Sequence, residues 1–576
     1  MDGVSSAMRG GGQCSSPGGT TSRGAYTWCV SDGARWLQSY SGVRARIGLS
    51  PEVTSEDGVF AFRHAYCYAL SRLQAQPAPR VRLVLGRDTR PTSEALARAQ
   101  AAGLASACRD LGVELELIDL GVMTTPVWQH SVRLFEAQGG VMVTASHNPL
   151  EDNGWKYATG VETFAVDPAP PGALLSPAEM GQLIRAANAF QPQPERSPLA
   201  LVVDAVRREE ALSRYLEFVR GTYRADAPGA RVVLDPNGGS ACGIASRVFE
   251  SLGVVPVALN DEPGRPAHEI DVDQMRPDGK HVLHDLAQRV RVEQALFGLA
   301  YDFDADRGNL TYVDESGNPR IPSPQNTAAI NAAVALALHR LSGDERPAAI
   351  VVSEATSYRV HRLAAAFGAA VHEVETGEIN LVTRMRDLER QGQRAVVGVE
   401  GPNGGTIFAG TTCRDGSLVG AGALLAAAQE PLRRLVAETL SAPRLGPGLG
   451  GFIASLPAQR TLSERHTVQA DWTAFVARLE DVFPRLFAAR LAAEWERYEI
   501  LYSYTRYVGP IRPEARQYGW KARLTRPGGE GFLWIRSSKT EGGVLRVFAD
   551  APDVETARRI LAVGHVIARG EPIPGD

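Results

Sequence analysis

The fold class is indicated most clearly by residues 81–120, VRLVLGRDTRPTSEALARAQAAGLASACRDLGVELELIDL. An apolar strand at 81–86 leads into a helix over about 92–110, and Gly112 precedes a second apolar strand at 113–120. Glycine adopts the left-handed conformation that ends a helix without the steric penalty of a Cβ. The stretch therefore predicts a strand–helix–strand unit of the α/β type.

The same pattern recurs twice further along the chain. Each copy has a strand, a helix, a glycine and a second strand in that order: 232–235, about 240–251, Gly253 and 254–259, then 348–352, about 357–367, Gly368 and 369–375. Alternation of strands and helices predicts parallel or mixed sheets that are covered by helices. We therefore expect three similar α/β/α domains with mixed sheets.

The sequence after residue 430 predicts a fourth domain of different character. A Pro/Gly-rich stretch at 443–451 indicates a linker, and a helical region at 472–498 precedes strands near Leu533 and at 544–549. This order is typical of an α+β domain. We expect all four domains to surround a central cleft, with these boundaries: a flexible N-terminal tail at 1–25, domain I at 26–205, domain II at 206–318, domain III at 319–442 and domain IV at 452–576.

Composition and charge argue against several classes of protein. The chain has 576 residues, too many for one hydrophobic core, and its 44% apolar and 22% charged residues are ordinary globular values. Lys plus Arg (61) nearly balance Asp plus Glu (65), whereas nucleic-acid-binding proteins have a basic excess. The most apolar run, 418–428, is far shorter than the roughly 20 residues of a membrane span. We expect no nucleic-acid partner, no membrane association, no secretory signal in the Gly/Ser/Thr-rich first 25 residues, and a cytoplasmic location.

Residues 301–307, Tyr-Asp-Phe-Asp-Ala-Asp-Arg, form the sharpest motif. They follow the apolar run 295–300, and the carboxylates of Asp302, Asp304 and Asp306 alternate along the segment. Carboxylate oxygens that converge in this way suit a hard cation such as Mg²⁺ or Ca²⁺. An EF-hand is excluded because Arg307 stands where its loop needs glycine. The alternative interpretation is a solvated acidic turn.

A second motif, Thr-Ala-Ser-His-Asn-Pro at 144–149, ends a strand of the buried type that starts at residue 141. Ligands of α/β proteins bind at the ends of strands, so the hydroxyl of Ser146, beside His147, is a candidate nucleophile. The alternative is an ordinary turn, in which the Ser-His pair bonds only to the local backbone.

Two further loops carry groups that suit a sugar phosphate. The glycines of Glu-Gly-Pro-Asn-Gly-Gly at 400–405 allow a sugar to approach closely, and Glu400 and Asn403 can bind its hydroxyls. The segment 536–540 concentrates cations and hydroxyls that suit a phosphate. Each loop alone is equally compatible with an ordinary turn. Together, four motifs on four predicted domains predict phosphoryl transfer in a shared cleft.

These motifs resemble those of the α-D-phosphohexomutase superfamily, the phosphoglucomutases and phosphomannomutases. Residues 144–149 match the family's phosphoserine loop without change, 302–307 is similar to its metal loop, and the resemblance extends from about 40 to 550. It implies interconversion of hexose 1-phosphate and hexose 6-phosphate, with glucose and/or mannose as the sugar. It also implies a phosphoserine at 146 and a hexose 1,6-bisphosphate that is both the intermediate and an activator.

The resemblance further implies roles for individual residues and a monomer or homodimer as the assembly. Mg²⁺ would be held by a phosphoryl oxygen on Ser146 and by Asp302, Asp304 and Asp306. The transferring group would be surrounded by a set of mostly cationic side chains in which Lys156 is the candidate general acid/base: Arg44, His147, Lys156 and Arg307. The substrate would contact the sugar loop and the phosphate loop: Glu400, Asn403, Gly404, Arg536, Ser538, Lys539 and Thr540.

The sequence departs from the family pattern in three loops. Gly405 stands where the sugar loop usually has histidine, Lys539 stands where the phosphate loop usually has Gly or Asn, and Ala45 replaces a glycine. The Asn form of the sugar loop, with Asn403, leaves a phosphoacetylglucosamine or phosphoglucosamine mutase as an alternative function. A sugar-phosphate-binding protein without mutase activity is a third possibility.

Overall fold

The structure is a computed structural model that describes residues 35–75, 77–160, 170–191, 201–223, 227–269, 275–443, 445–467, 472–504, 507–510, 519–537 and 544–571. The tail expected at 1–25 lies outside these residues. Four sheets follow one another along the chain. Within the described ranges, every helix is too short or too polar to cross a bilayer.

Six strands and four helices form the first unit: β1 (Leu37–Ser39), β2 (Gly42–Arg46), α1 (Ser55–Ala75), β3 (Arg80–Arg87), α2 (Ser93–Asp110), β4 (Glu114–Val122), α3 (Thr125–Leu134), β5 (Gly139–Val143), β6 (Asp152–Thr159) and α4 (Pro177–Ala189). The strand order is β1-β2-β6-β5-β3-β4, in which β3 is parallel to β4 and β5 and the other pairs are antiparallel. Side chains alternate between the faces of a strand, so Leu83 and Leu85 pack with α1 and α2 while Val84 packs with α3.

The second and third units have the same layered character. The second contains α5 (Ala205–Tyr223), β7 (Arg231–Asp235), α6 (Ile244–Ser251), β8 (Val255–Ala258), α7 (His284–Val292), β9 (Gly298–Tyr301), β10 (Gly308–Val313) and β11 (Pro319–Arg320). The third contains α8 (Pro324–Ser342), β12 (Ala348–Ser353), α9 (Tyr358–Phe367), β13 (Ala370–Val374), α10 (Glu378–Arg390), β14 (Arg394–Glu400), β15 (Gly405–Phe408), α11 (Gly416–Ala428) and α12 (Glu430–Thr439). Both sheets are mixed, with orders β11-β10-β9-β7-β8 and β13-β12-β14-β15.

The last unit follows α13 (Gly448–Ser455) and is built on an antiparallel sheet. Its elements are β16 (Arg460–Thr467), α14 (Trp472–Arg490), β17 (Arg497–Tyr504), β18 (Tyr507–Gly509), β19 (Gly519–Arg526), β20 (Gly529–Ser537), β21 (Val544–Ala551) and α15 (Val554–Arg569). The strand order is β16-β21-β20-β19-β17-β18. Helices α14 and α15 share one apolar core with this sheet.

The structure confirms the predicted fold class of three α/β units with mixed sheets and a C-terminal α+β unit, whereas the domain boundaries stay predictions. Three details differ. Helix α6 begins at Ile244 rather than near 240, because Gly243 takes a left-handed conformation with φ 68°. The helical region predicted at 472–498 ends at Arg490. Part of the stretch predicted as a linker is helix α13, whose Leu449 and Phe452 are buried in the same core as α11.

Candidate active site

Ser146 lies just beyond the end of β5, in a backbone conformation that few residues adopt. Its φ is 53°, in the left-handed region that disfavours residues with a Cβ. The Ser146 backbone N–H donates to Thr144 Oγ1 at 2.8 Å, which fixes the turn. The Ser146 hydroxyl, which is buried, donates to Asp302 Oδ2 at 3.0 Å. The strained turn therefore aims the candidate nucleophile at the acidic motif of the second unit.

The guanidinium of Arg90 holds this turn in place through hydrogen bonds. Its five guanidinium N–H groups reach five acceptors, of which four are backbone carbonyls of the turn. Nη2 donates to the carbonyls of Ser146 (2.7 Å) and Asn148 (2.8 Å), and Nη1 donates to those of Pro149 (2.5 Å) and Asp152 (2.8 Å). The remaining donor, Nε, bonds to Asp88 Oδ2 at 3.1 Å. Arg90 is thus a positioning residue for the turn.

We expect Arg90→Lys to lower the free energy of unfolding by about 2–3 kcal/mol, because lysine has three donors and cannot serve five acceptors in a plane. Urea denaturation measures this. The matched control is Arg98→Lys on α2, since Arg98 is exposed and pairs with Glu94 four residues away. The control should lose about 0.5 kcal/mol or less. Equal losses in the two variants would contradict the role assigned to Arg90.

The three aspartates of the acidic motif converge between β9 and β10. Oxygens of Asp302, Asp304 and Asp306 lie within 4.8 Å of one another, and all three residues are buried. Asp304 Oδ1 and Asp306 Oδ1 are buried and have no hydrogen-bond partner among the described residues. Buried carboxylate oxygens without a donor are costly, and a divalent cation satisfies them. The donor set therefore fits Mg²⁺, and a solvated acidic turn is excluded.

The pKa values of Asp302 and Asp306 are shifted in opposite directions. Burial raises the pKa of Asp302 well above its usual value, and the charges of Asp306 and Asp304 add to this effect. Burial acts on Asp306 in the same direction, but the neighbouring cations Arg414 and Lys156 outweigh it and hold its pKa well below the usual value. The acidic cluster is therefore partly neutralised by cations of this chain.

Cations and one imidazole line the same cleft as Ser146. Lys156 on β6 donates from Nζ to Asp304 Oδ2 (2.7 Å) and Asp306 Oδ2 (3.0 Å). Burial lowers the pKa of Lys156, but the two carboxylates outweigh burial and raise it. Arg44 on β2 keeps Nε and Nη1 buried without partners among the described residues, and burial lowers its pKa to about 10. Burial, together with Arg307 and Arg44, lowers the pKa of His147 well below its usual value. The site thus holds unsatisfied donors, as an anion site requires.

The sugar-type loop lies at the end of β14. Glu400 Oε1 accepts from the Gly377 backbone N–H at 2.7 Å, and its Oε2 accepts from Asn403 Nδ2 at 3.1 Å. Gly404 has a φ of 70°, which lets the short 3₁₀ turn Gly401–Asn403 reverse into β15. Glu400, Asn403, Ser146, His147, Lys156, Arg44 and Arg307 all line one cleft. The structure brings these predicted residues together.

Arg414 is a central residue that the sequence motifs did not identify. Its Nη2 donates to Asp306 Oδ2 at 2.5 Å, its Nη1 donates to Glu400 Oε2 at 3.0 Å, and its Nε lies 3.3 Å from Glu378 Oε2. Burial opposes its charge, but these carboxylates raise its pKa well above the usual value. One guanidinium therefore joins the acidic motif to the sugar-type loop.

A second cationic region lies across the cleft in the fourth unit. Arg536, at the end of β20, lines the cleft together with Arg465 of β16 and Arg546 of β21. Its Nη1 lies 3.5 Å from Glu354 Oε1. The other residues predicted for the phosphate loop, Ser538, Lys539 and Thr540, lie outside the described residues. Arg465 and Arg546 are a further part of the cleft that the motifs did not identify.

The chain is similar to known proteins of one family. Family models described as "Phosphoglucomutase/phosphomannomutase, alpha/beta/alpha domain I" and "domain III" match residues 37–165 and 328–442. A phosphoglucosamine mutase of Moorella thermoacetica is 30% identical over 409 residues, which cover 70% of this chain and 82% of that protein. The chain belongs to the phosphoglucomutase/phosphomannomutase family of the α-D-phosphohexomutase superfamily.

Other members of the family match over different lengths. A phosphoglucosamine mutase of Limosilactobacillus reuteri is 32% identical over 279 residues, and the match spans 48% of this chain and only 56% of that protein. A phosphoglucomutase/phosphomannomutase family protein of Burkholderia thailandensis has the same fold, with a TM-score of 0.63 and 20% identity; the match covers 93% of this chain and 98% of that one. The family fold therefore extends over nearly the whole chain.

Proposed function

We propose that this protein is a phosphohexomutase that interconverts hexose 1-phosphate and hexose 6-phosphate by way of a phosphoserine at Ser146. The observation that carries the proposal is the Ser146 hydroxyl, held 3.0 Å from Asp302 in a cleft lined with cations and with the sugar-type loop. A serine in an ordinary turn needs neither this strained backbone nor four hydrogen bonds from one arginine to its carbonyls.

The chemistry consists of two phosphoryl transfers of the same kind. In the first, a sugar hydroxyl attacks the phosphorus on Ser146; the new O–P bond forms and the bond to Ser146 Oγ breaks. The proton of the sugar hydroxyl passes to a base in the cleft, and the leaving Ser146 Oγ takes up a proton. The bisphosphate then reorients, and Ser146 Oγ attacks its other phosphate, losing its proton while the leaving sugar oxygen gains one. Arg44 and Arg307 supply fixed positive charge where negative charge accumulates. At the end of the cycle Ser146 again carries a phosphoryl group, and the sugar carries one phosphate, now on the other oxygen.

Mg²⁺ would be held by Asp302, Asp304 and Asp306 together with a phosphoryl oxygen on Ser146. When bound, it offsets the nearly two negative charges of a phosphoserine and makes the phosphorus a better electron acceptor. Lys156 is already paired with two of these aspartates, and its raised pKa favours the ammonium. In this state it can donate a proton to a leaving oxygen, which is one half of its proposed acid/base role.

The cleft has cationic residues at two ends, which would suit a sugar with two phosphates. Arg44 and Arg307 lie beside Ser146, while Arg465, Arg536 and Arg546 line the fourth unit. One end would hold the reacting phosphate and the other end would hold the distal phosphate. A bisphosphate that reorients in the cleft would therefore present its second phosphate to Ser146. We propose hexose 1,6-bisphosphate as both the intermediate and the activator on this basis.

Two sugars are candidates for the substrate. The family resemblance implies glucose and/or mannose, whereas the relatives from Moorella and Limosilactobacillus are named phosphoglucosamine mutases, which favours glucosamine. The loop that would contact the sugar also differs from the usual pattern, since Gly405 leaves no side chain there and Arg414 approaches instead. We therefore propose glucosamine phosphate as the second candidate substrate.

Phosphorus NMR tests both points in one experiment. The protein is incubated with Mg²⁺, a trace of the matching bisphosphate, and in separate tubes the 1-phosphates of glucose, mannose, glucosamine and N-acetylglucosamine. Appearance of a 6-phosphate signal supports the mutase, and the fastest tube names the sugar. Chelation of Mg²⁺ should stop the conversion. Binding of a sugar phosphate without conversion in any tube would contradict the mutase and favour the binding protein.

A further inference from the structure

We propose a second metal site, for a transition-metal ion such as Zn²⁺, formed by Glu464, His466 and His565 on the far side of the fourth unit's sheet. It is independent of the acidic motif and of the mutase chemistry. Two imidazoles with one carboxylate are ligands that Zn²⁺ prefers, whereas Mg²⁺ prefers oxygen alone.

Strand periodicity and helix packing bring these three residues together. Glu464 and His466 are two residues apart on β16, so their side chains lie on the same face of the sheet. The residue between them, Arg465, points to the opposite face and lines the catalytic cleft. Helix α15 packs on β16 and contributes His565. The sequence separation of about a hundred residues explains why no motif predicts the cluster.

The distances fit ligands that share one small ion. His466 Nε2 lies 3.0 Å and His565 Nδ1 lies 2.9 Å from Glu464 Oε2, and the three ligand atoms are all within 4.8 Å of one another. Zinc ligands bind at about 2.0–2.2 Å, so atoms around the same ion stand roughly 3 Å apart. Little movement is needed to admit the ion.

Hydrogen bonding alone does not satisfy this cluster. Both imidazoles face the same carboxylate oxygen, and His466, which is nine-tenths buried, has no hydrogen bond at Nε2 to any described residue. The Nε2 atom nevertheless lies 3.0 Å from Glu464 Oε2, out of line for a hydrogen bond. A buried imidazole nitrogen that lies within a cluster of donor atoms and forms no hydrogen bond is available as a metal ligand.

The surroundings of His565 have the arrangement found around metal-bound histidines. Its Nδ1 faces the cluster, while Nε2, the other ring nitrogen, lies 3.5 Å from Glu571 Oε1. Ligating histidines usually have a carboxylate near the second ring nitrogen, and Glu571 lies on that side of the ring. The side chains of Glu464 and His565 are 38% and 30% exposed, so an ion can enter from solvent and complete its coordination with water.

Isothermal titration with Zn²⁺ tests the proposal on untagged, full-length protein that has been stripped of metal and equilibrated with excess Mg²⁺ to occupy the acidic motif. We expect one equivalent of Zn²⁺ to bind at the cluster. His565→Gln and Glu464→Gln should each weaken this binding at least tenfold. The matched control is His361→Gln, because His361 also pairs with one glutamate, Glu373, but stands outside any such cluster; it should bind Zn²⁺ like the parent.

Absorption spectroscopy with Co²⁺ gives a second readout, the type of ligand, which the parent protein alone already provides. Co²⁺ at a site with nitrogen ligands and low coordination number gives visible bands that the acidic motif, with oxygen ligands alone, does not give at comparable intensity. These bands should appear in the parent protein and be absent in His466→Gln. Zinc binding of unchanged affinity in all variants, or no stoichiometric binding in the parent, would overturn the proposal.

Discussion

Replacement of Ser146 by alanine is expected to lower kcat by about 10⁴-fold or more, because no other group remains to carry the phosphoryl group between the two transfers. Intact-protein mass spectrometry should at the same time lose the mass of one phosphoryl group that the parent acquires from a hexose bisphosphate. The two measurements together separate a missing nucleophile from a damaged fold.

The structure also gives the expected stability of Ser146→Ala. The variant loses one hydrogen bond to the buried carboxylate of Asp302, which costs about 1–3 kcal/mol, while the bonds from Arg90 to the turn persist because they end on backbone carbonyls. The matched control is Ser213→Ala on α5, where an exposed hydroxyl also bonds to one carboxylate, Glu209. The control should keep full activity. Normal turnover in Ser146→Ala would rule out the phosphoserine mechanism.

The sequence predicts the fold and one half of the site because both are encoded locally. Residues 81–120 contain their own strand, helix and exit glycine, and each later copy does too. The segments 144–149 and 302–307 are each contiguous, so the types of residue already indicate a nucleophile and a cation site. Their meeting follows from strand ends pointing into one cleft, which general topology predicts.

The other half of the site depends on contacts that are distant in sequence. Arg414 reaches Asp306, 108 residues away, from the turn that precedes α11, and nothing in its local sequence marks it. Arg465 and Arg546 lie on strands whose alternation decides which side chains face the cleft. The first residues of helix α13 fall in the stretch predicted as a linker, because Pro and Gly are poor helix formers. Burial of Leu449 and Phe452 outweighs that propensity.

Arg414→Ala is expected to lower the free energy of unfolding by about 3–5 kcal/mol, the largest stability effect of any single change considered for this cleft. The substitution removes the cation shared by Asp306, Glu400 and Glu378 and leaves these buried carboxylates with less positive charge and fewer donors to offset their burial. Turnover should fall as well, since Glu400 loses one of the bonds that hold it in the cleft. Urea denaturation and steady-state kinetics measure the two effects.

The matched control for Arg414→Ala is Arg394→Ala, on β14 of the same unit. Arg394 is about one-third exposed and pairs with a single glutamate, Glu389, at 3.2 Å. Pairs of this kind contribute about 1 kcal/mol or less. A loss in Arg414→Ala no larger than in the control would show that the three carboxylates do not depend on the guanidinium.

A double-mutant cycle tests whether Arg414 and Gly405, which stands where the family usually has histidine, depend on each other. A Cβ at Gly405 would lie 2.5 Å from Arg414 Cδ and 2.9 Å from Asn403 Oδ1, so the arginine makes the closest contact with a side chain at residue 405. Gly405→Ala should therefore destabilise the parent but cost less in Arg414→Ala, where Cδ is gone and the contact with Asn403 remains, giving a coupling energy of about 1 kcal/mol. Strictly additive effects would mean that glycine at 405 is required for another reason. Coupling would mean that glycine at 405 and arginine at 414 depend on each other, because the arginine that is bonded to Asp306 occupies the space beside residue 405.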